Sequence, residues 1–86
     1  MMWKAKIVVT YKPGILDPEA KTIQHALGNL GYRHIQEVEA GRYFEVQFDK
    51  TLNKEDTESL TKEICAKILS NPVIQKYRYE LKEVDE

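Results

Sequence analysis

One cysteine, Cys65, is too few for an internal disulfide, so the fold must be held by its core. No apolar run approaches the roughly 20 residues that would span a bilayer. No leader pattern opens the chain: Met1-Met2-Trp3-Lys4 runs straight into an alternating segment, which predicts a cytoplasmic protein. An excess of one charge is also missing. Thirteen basic residues face fourteen acidic ones, so no global field would recruit nucleic acid or an anionic membrane. Repeats, linkers and low-complexity stretches are absent as well.

The usual chemical signatures are missing too. Cys65 falls in the middle of an expected helix beside its apolar stripe, where a thiol packs rather than reacts. Ser59 and Ser70 have no glycine-rich elbow around them. His25 and His34 have no carboxylate or cysteine at metal-ligand spacing, so no metal is expected. Gly28, Gly31 and Gly41 build neither a G-x-x-x-x-G-K-[ST] nor a G-x-G-x-x-G loop, and no cofactor site is expected. Ala40-Gly41-Arg42-Tyr43-Phe44 has the wrong order for an RNA-reading motif.

What is present is pattern. The 86 residues make one domain, residues 1–86, with 42% hydrophobic and 31% charged residues. A chain this short buries only about 60–65% of its unfolded surface, so self-association is expected. Trp3, Ala5, Ile7, Val9 and Tyr11 alternate with Lys4, Lys6, Val8 and Thr10, which predicts a strand over 3–11. Lys12-Pro13-Gly14 ends it. Asp17-Pro18 opens a helix over about 18–30, with Ala20, Ile23, Leu27 and Leu30 at helical spacing and Gly31 as its stop.

Residues 34–49 read as extended. Val38, Ala40, Phe44, Val46 and Phe48 keep one phase, which favours a continuous strand bent at Gly41; a hairpin at Ala40-Gly41 would make two strands instead. Asn53 caps a second helix, with Glu55, Asp56 and Glu58 near its positive end. Leu60, Ile64, Ile68 and Leu69 form its expected buried stripe, and Asn71-Pro72 stops it. Tyr77, Tyr79 and Leu81 then alternate with Lys76, Arg78, Glu80 and Lys82 in a last strand, before an acidic end at Glu83-Val84-Asp85-Glu86. The fold class is α+β: a two-layer sandwich with two helices on one face of a mostly antiparallel sheet. The order is βαβαβ, or βαββαβ if Gly41 is a hairpin turn. The other sheet face must meet water or a partner, and Val8 among its polar residues hints at a partner.

One set of residues is more specific. Lys4-Ala5-Lys6-Ile7-Val8-Val9, Lys12-Pro13-Gly14-Ile15-Leu16-Asp17-Pro18, Ala26-Leu27 and Leu30-Gly31-Tyr32 fill the first half. Cys65, Leu69-Ser70-Asn71-Pro72-Val73-Ile74 and Tyr77 follow in the second. In order and spacing the chain resembles the PurS family along nearly its whole length. The one departure is Val38-Glu39-Ala40-Gly41-Arg42, where the family pattern Val-Arg-x-Gly-Lys has a basic residue at the place of Glu39.

The resemblance implies an accessory subunit of phosphoribosylformylglycinamidine synthase. In that complex a glutaminase subunit releases ammonia, and a large synthetase subunit uses ATP and magnesium to activate the substrate amide. The small subunit catalyses neither step. It is expected to form a dimer or tetramer, bridge the catalytic subunits and help ammonia pass. Protonated ammonia is no nucleophile, so a sealed path preserves it, much as water exclusion protects other reactive intermediates. Sealing calls for rigid surfaces rather than acids and bases. The contacts are expected from Lys12, Pro13 and Gly14, from Gly41 and Arg42, and from Asn71, Pro72, Val73 and Ile74. The alternative from a different class is an ACT-like small-molecule-binding regulatory domain, for which Lys12-Pro13-Gly14 is a weak match. A small acylphosphatase-like hydrolase would need an arginine soon after the first strand, and none precedes Arg33.

Overall fold

The computed structural model describes residues 2–85; Glu86 of the acidic end and Met1 lie outside them. Strand β1 (Met2–Tyr11) is central, flanked antiparallel by β2 (Gly41–Gln47) and β3 (Gln75–Val84), in the order β2-β1-β3. Helix α1 (Pro18–Asn29) joins β1 to β2, and α2 (Lys54–Ile64) joins β2 to β3. The fold is α+β in the order βαβαβ.

Period-two alternation sets the register. Ile7 lies between Phe44 and Tyr79, Ala5 between Val46 and Leu81, and Val9 between Arg42 and Tyr77. These residues form the inner face. Ala5, Ile7 and Val9 are essentially inaccessible and join Phe48 and Cys65 in the core, with Trp3, Phe44, Val46, Ile64, Leu69, Tyr77, Tyr79 and Leu81 packed around them.

The middle segment is neither one long strand nor a hairpin. Residues 33–40 take no strand pairing; β2 begins at Gly41, opposite Thr10, one residue before β1 ends at Tyr11. Pro13 and the turn after it leave nothing for residues 34–40 to pair with, so extended sequence character finds no ladder there.

Helix α2 also differs from the expected stripe. Thr57, Thr61 and Cys65, spaced by four, are fully buried, while Leu60 is 37% and Ile68 77% exposed. Each threonine satisfies its hydroxyl on the preceding turn: Thr57 Oγ1 donates to Asn53 O at 2.7 Å and Thr61 Oγ1 to Thr57 O at 2.7 Å. Their small side chains suit the face turned to the core. After Ile64 the helix widens into a π-turn over Cys65–Leu69, closed by Ser70, whose N–H and hydroxyl both donate to Cys65 O. That wider turn changes the phase, and Ile68 swings outward.

Helix α1 is well terminated and poorly covered. Asp17 Oδ1 accepts from Glu19 N and Ala20 N at 3.0 and 3.2 Å. At the other end Tyr32 N donates to Leu27 O and Gly31 N to Gly28 O, with Gly31 at φ 94°, a Schellman stop. Yet Ala20 is its one buried residue, and Ile23 and Leu30 are 39% and 74% exposed. β1 packs against β2, β3 and α2, whereas α1 has no packing of that extent with any strand.

The shape records this. The chain measures 52 × 29 × 14 Å with a radius of gyration of 16.7 Å. A compact chain of this length would have about 12 Å. Its accessible surface is 6591 Å², whereas a compact monomer of this mass would show about 5,200 Å².

Candidate functional site

Two turns and the first residues of β2 meet at one end of the sheet, where β1 finishes and β2 and β3 begin. Lys12 N donates to Ile74 O at 2.9 Å, tying the loop after β1 to the loop before β3. Gly41 and Lys76 flank Thr10 from opposite sides. All three candidate contact segments, Lys12–Gly14, Gly41-Arg42 and Asn71–Ile74, therefore lie at the same end.

Each segment has its own local cause. Ile15 N donates to Lys12 O at 3.1 Å across Pro13 and Gly14, and Gly14 has φ 84°, the type II geometry that Pro-Gly favours. Asn71 organises the third loop. Its backbone carbonyl accepts from Ile74 N and Gln75 N, its side chain accepts from Val73 N, and its own N–H donates to Gln75 Oε1. Val73 is left 77% exposed at the tip. Gly41 is explained by close approach: a Cβ there would stand 2.5 Å from Val9 O and 2.9 Å from Thr10 Cγ2. Arg42 is exposed at the start of β2, opposite Val9.

Two open clefts flank this end. One, of about 260 Å³, runs between Lys12–Asp17, the start of α1 and residues 37–40. Its lining includes Lys12, Lys21 and Lys76 but also Asp17, Glu37 and Glu39, so its charge is balanced. Glu39, where a basic residue was expected, supplies part of that balance. The other, of about 300 Å³, includes Tyr11, Gly41, Arg42 and Gln75 in its lining. Asn71–Ile74 lies beside the clefts but lines neither.

The groups that sequence reading set aside stay apart from this end chemically. Cys65 is buried in the core, and burial pushes its thiol pKa up. His25 and His34 are exposed on α1 and the segment after it. Among the described residues no three His, Cys, Asp or Glu side chains are grouped to hold a metal. No helix of the described residues is long and apolar enough to cross a membrane.

Sequence reading marked the outer sheet face, through Val8, as one that meets water or a partner, but not the rows of charge and the tyrosine that pairing sets out on it. Lys4 Nζ pairs with Glu45 Oε1 at 3.2 Å, and that bond, with the Tyr43 hydroxyl beside it, lowers the Glu45 pKa. Partial desolvation, then the neighbouring Glu45 and Glu80, raise the Tyr43 pKa. The signal was available in the alternation of β1 and β3, but strand pairing was needed to place Tyr43 beside Val8, with Arg78 on the other side of Val8.

Comparison with known proteins gives the family. Residues 4–83 match the PurS family, described as phosphoribosylformylglycinamidine (FGAM) synthase. The phosphoribosylformylglycinamidine synthase subunit PurS of Bacillus subtilis is 42% identical over 83 residues, covering 96% of each chain. A solved structure of B. subtilis PurS superposes with a TM-score of 0.84 at 41% identity, over 94% of this chain and 99% of that one. The PurS of Methanocaldococcus jannaschii, solved as one of the subunits of formylglycinamide ribonucleotide amidotransferase in the purine biosynthetic pathway, also gives 0.84, at 32% identity over 96% and 99% of the two chains. With this match along almost its full length, the chain belongs to the PurS family.

Proposed function

We propose that this chain is a non-catalytic accessory subunit of phosphoribosylformylglycinamidine synthase in purine biosynthesis. It acts in the cytoplasm as a dimer or tetramer, bridges the glutaminase and synthetase subunits, and helps ammonia pass between them. ATP and magnesium act in the large synthetase subunit. The observation that carries this reading is the convergence of Lys12–Gly14, Gly41-Arg42 and Asn71–Ile74 on one end of the sheet, in a chain of this family. Two exposed turns fixed by their own hydrogen bonds, beside a strand start held in the sheet, present a rigid surface, which is what docking and sealing require.

Self-association has its own support. The extended shape leaves roughly 1,400 Å² more surface than a compact monomer would have. Leu16, Leu30, Tyr32, Ile68 and Val73 are all more than half exposed. That excess exceeds the roughly 800 Å² that each partner buries in a standard interface. A second copy is the partner always present at equal concentration, and it would cover α1.

The test is a mixing assay of synthetase and glutaminase with and without this chain. Glutamine-supported synthesis should depend strongly on the chain, and ammonia-supported synthesis much less. Identical glutamine-supported rates with and without it would overturn the accessory role. Arg42→Glu sharpens the assay: unchanged assembly and turnover would remove Arg42 from the contact surface.

A further inference from the structure

We infer that the outer face of the sheet is a second docking surface, one that receives a carboxylate-rich surface of a catalytic subunit; this rests on the accessory-subunit reading above. Beyond the Met2–Val84 pair at one end, the register sets the face out in four rows of three. Gln47, Lys4 and Lys82 form one, Glu45, Lys6 and Glu80 the next, Tyr43, Val8 and Arg78 the third, and Gly41, Thr10 and Lys76 the last. The core cluster, with Ile64, Cys65 and Leu69, lies on the opposite face.

The face is strongly biased in sign. Its five cations, Lys4, Lys6, Lys76, Arg78 and Lys82, stand against two carboxylates, Glu45 and Glu80, a net charge of +3. The whole chain carries −1, so everything else carries −4. A solvated antiparallel sheet needs polar residues on its open side, but it does not need one sign. Among the described residues the face forms a single internal ion pair, Lys4–Glu45. The third row adds what a merely solvated face would lack. Tyr43 is 55% exposed beside the half-buried Val8, with Arg78 on the far side. Tyrosine and arginine around an apolar contact are the residue types that anchor protein interfaces.

The charge also selects the occupant. Two copies stacked through this face would bring +3 against +3, and like-charge juxtaposition opposes association. The second copy is better matched to the apolar side of α1. A partner presenting Asp and Glu would be attracted, with faster encounter at low salt. The two surfaces then divide the work: apolar contacts for self-assembly, basic contacts for the catalytic partner.

The experiment measures binding of this chain to the glutaminase and synthetase subunits, between about 50 and 500 mM salt, where screening becomes severe. The comparison is between the wild type, Lys6→Glu/Arg78→Glu and the charge-preserving Lys6→Arg/Arg78→Lys. Circular dichroism and self-association check that each variant folds. A second reversal, Lys76→Glu/Lys82→Glu, places the change at exposed positions that bear little on packing. Both reversals should weaken binding roughly tenfold or more and flatten the salt dependence, while the conservative pair binds like the wild type. Wild-type assembly together with equally tight, equally salt-sensitive reversals would overturn this surface alone. Failure of the wild type to assemble at all would overturn the accessory role with it. If the reversals leave assembly intact but abolish binding to a single-stranded RNA oligonucleotide, the face is a nucleic-acid surface and the inference falls.

Discussion

Helix α1 spans 12 residues and carries Ile23 and Leu27, with Leu30 as its cap; helix α2 spans 11 and turns Thr57 and Thr61 toward the core. The helix with the aliphatic positions buries only Ala20, whereas the other buries two threonines. Burial is decided by which surface is within reach. In this chain α2 and its π-turn complete the core on the inner sheet face, and its threonines meet their own hydrogen-bonding needs. Helix α1 has no comparable surface within its own chain. Its apolar positions are the ones that the second copy proposed above would cover.

The largest contrast should come from matched truncations. Ile7→Ala, in the centre of the sheet, should cost about 2–5 kcal/mol in urea unfolding, because it leaves a cavity in a closed core. Ile23→Ala should cost far less at concentrations where copies dissociate, and clearly more where they associate. Equal costs for Ile23→Ala at both concentrations would break the comparison.

Gly41→Ala follows in size. The new Cβ would press on the Val9 carbonyl, and the strand must shift at the point where β2 joins β1. A loss of about 1–3 kcal/mol in the same unfolding assay is expected. Asp17→Ala, which frees the N–H groups of Glu19 and Ala20, should cost about 1 kcal/mol. Because α1 is so little packed, its helicity by circular dichroism should fall more visibly than global stability.

Element types were largely legible in the sequence because they depend on local pattern. Alternation marked β1 and β3, Asp17-Pro18 and Asn53 marked helix starts, and Gly31 marked a stop. Partners were not legible, because pairing is decided by geometry at a distance. Residues 34–40 have strand-like composition, yet β1 ends before it could pair with them. Half of the expected α2 stripe holds, since Ile64 and Leu69 pack against the core; Thr57 and Thr61 were passed over because a hydroxyl suggests exposure, and nothing in the sequence announces the π-turn that leaves Ile68 outside. For the candidate site, the three segments could be read individually. Their meeting at one end, through Lys12–Ile74 and Thr10–Gly41, needed the register.

The smallest effect concerns the outer face. Lys4 lowers the pKa of Glu45, so that group's contribution to stability is present above its unfolded value and is lost as pH falls through the lower folded value. The window lies below about pH 4.3. An NMR titration should show Glu45 titrating below the ordinary glutamate value. Lys4→Met should move it back up, with only a slight change in stability, since the pair is exposed.

Sedimentation velocity over a dilution series tests the comparison between the two halves most directly. A second copy covering α1 predicts a dimer or tetramer at micromolar concentration that dissociates on dilution, with Leu30→Glu shifting dissociation to higher concentration. A single-chain mass at every concentration, with Leu30→Glu indistinguishable from the wild type, would contradict it.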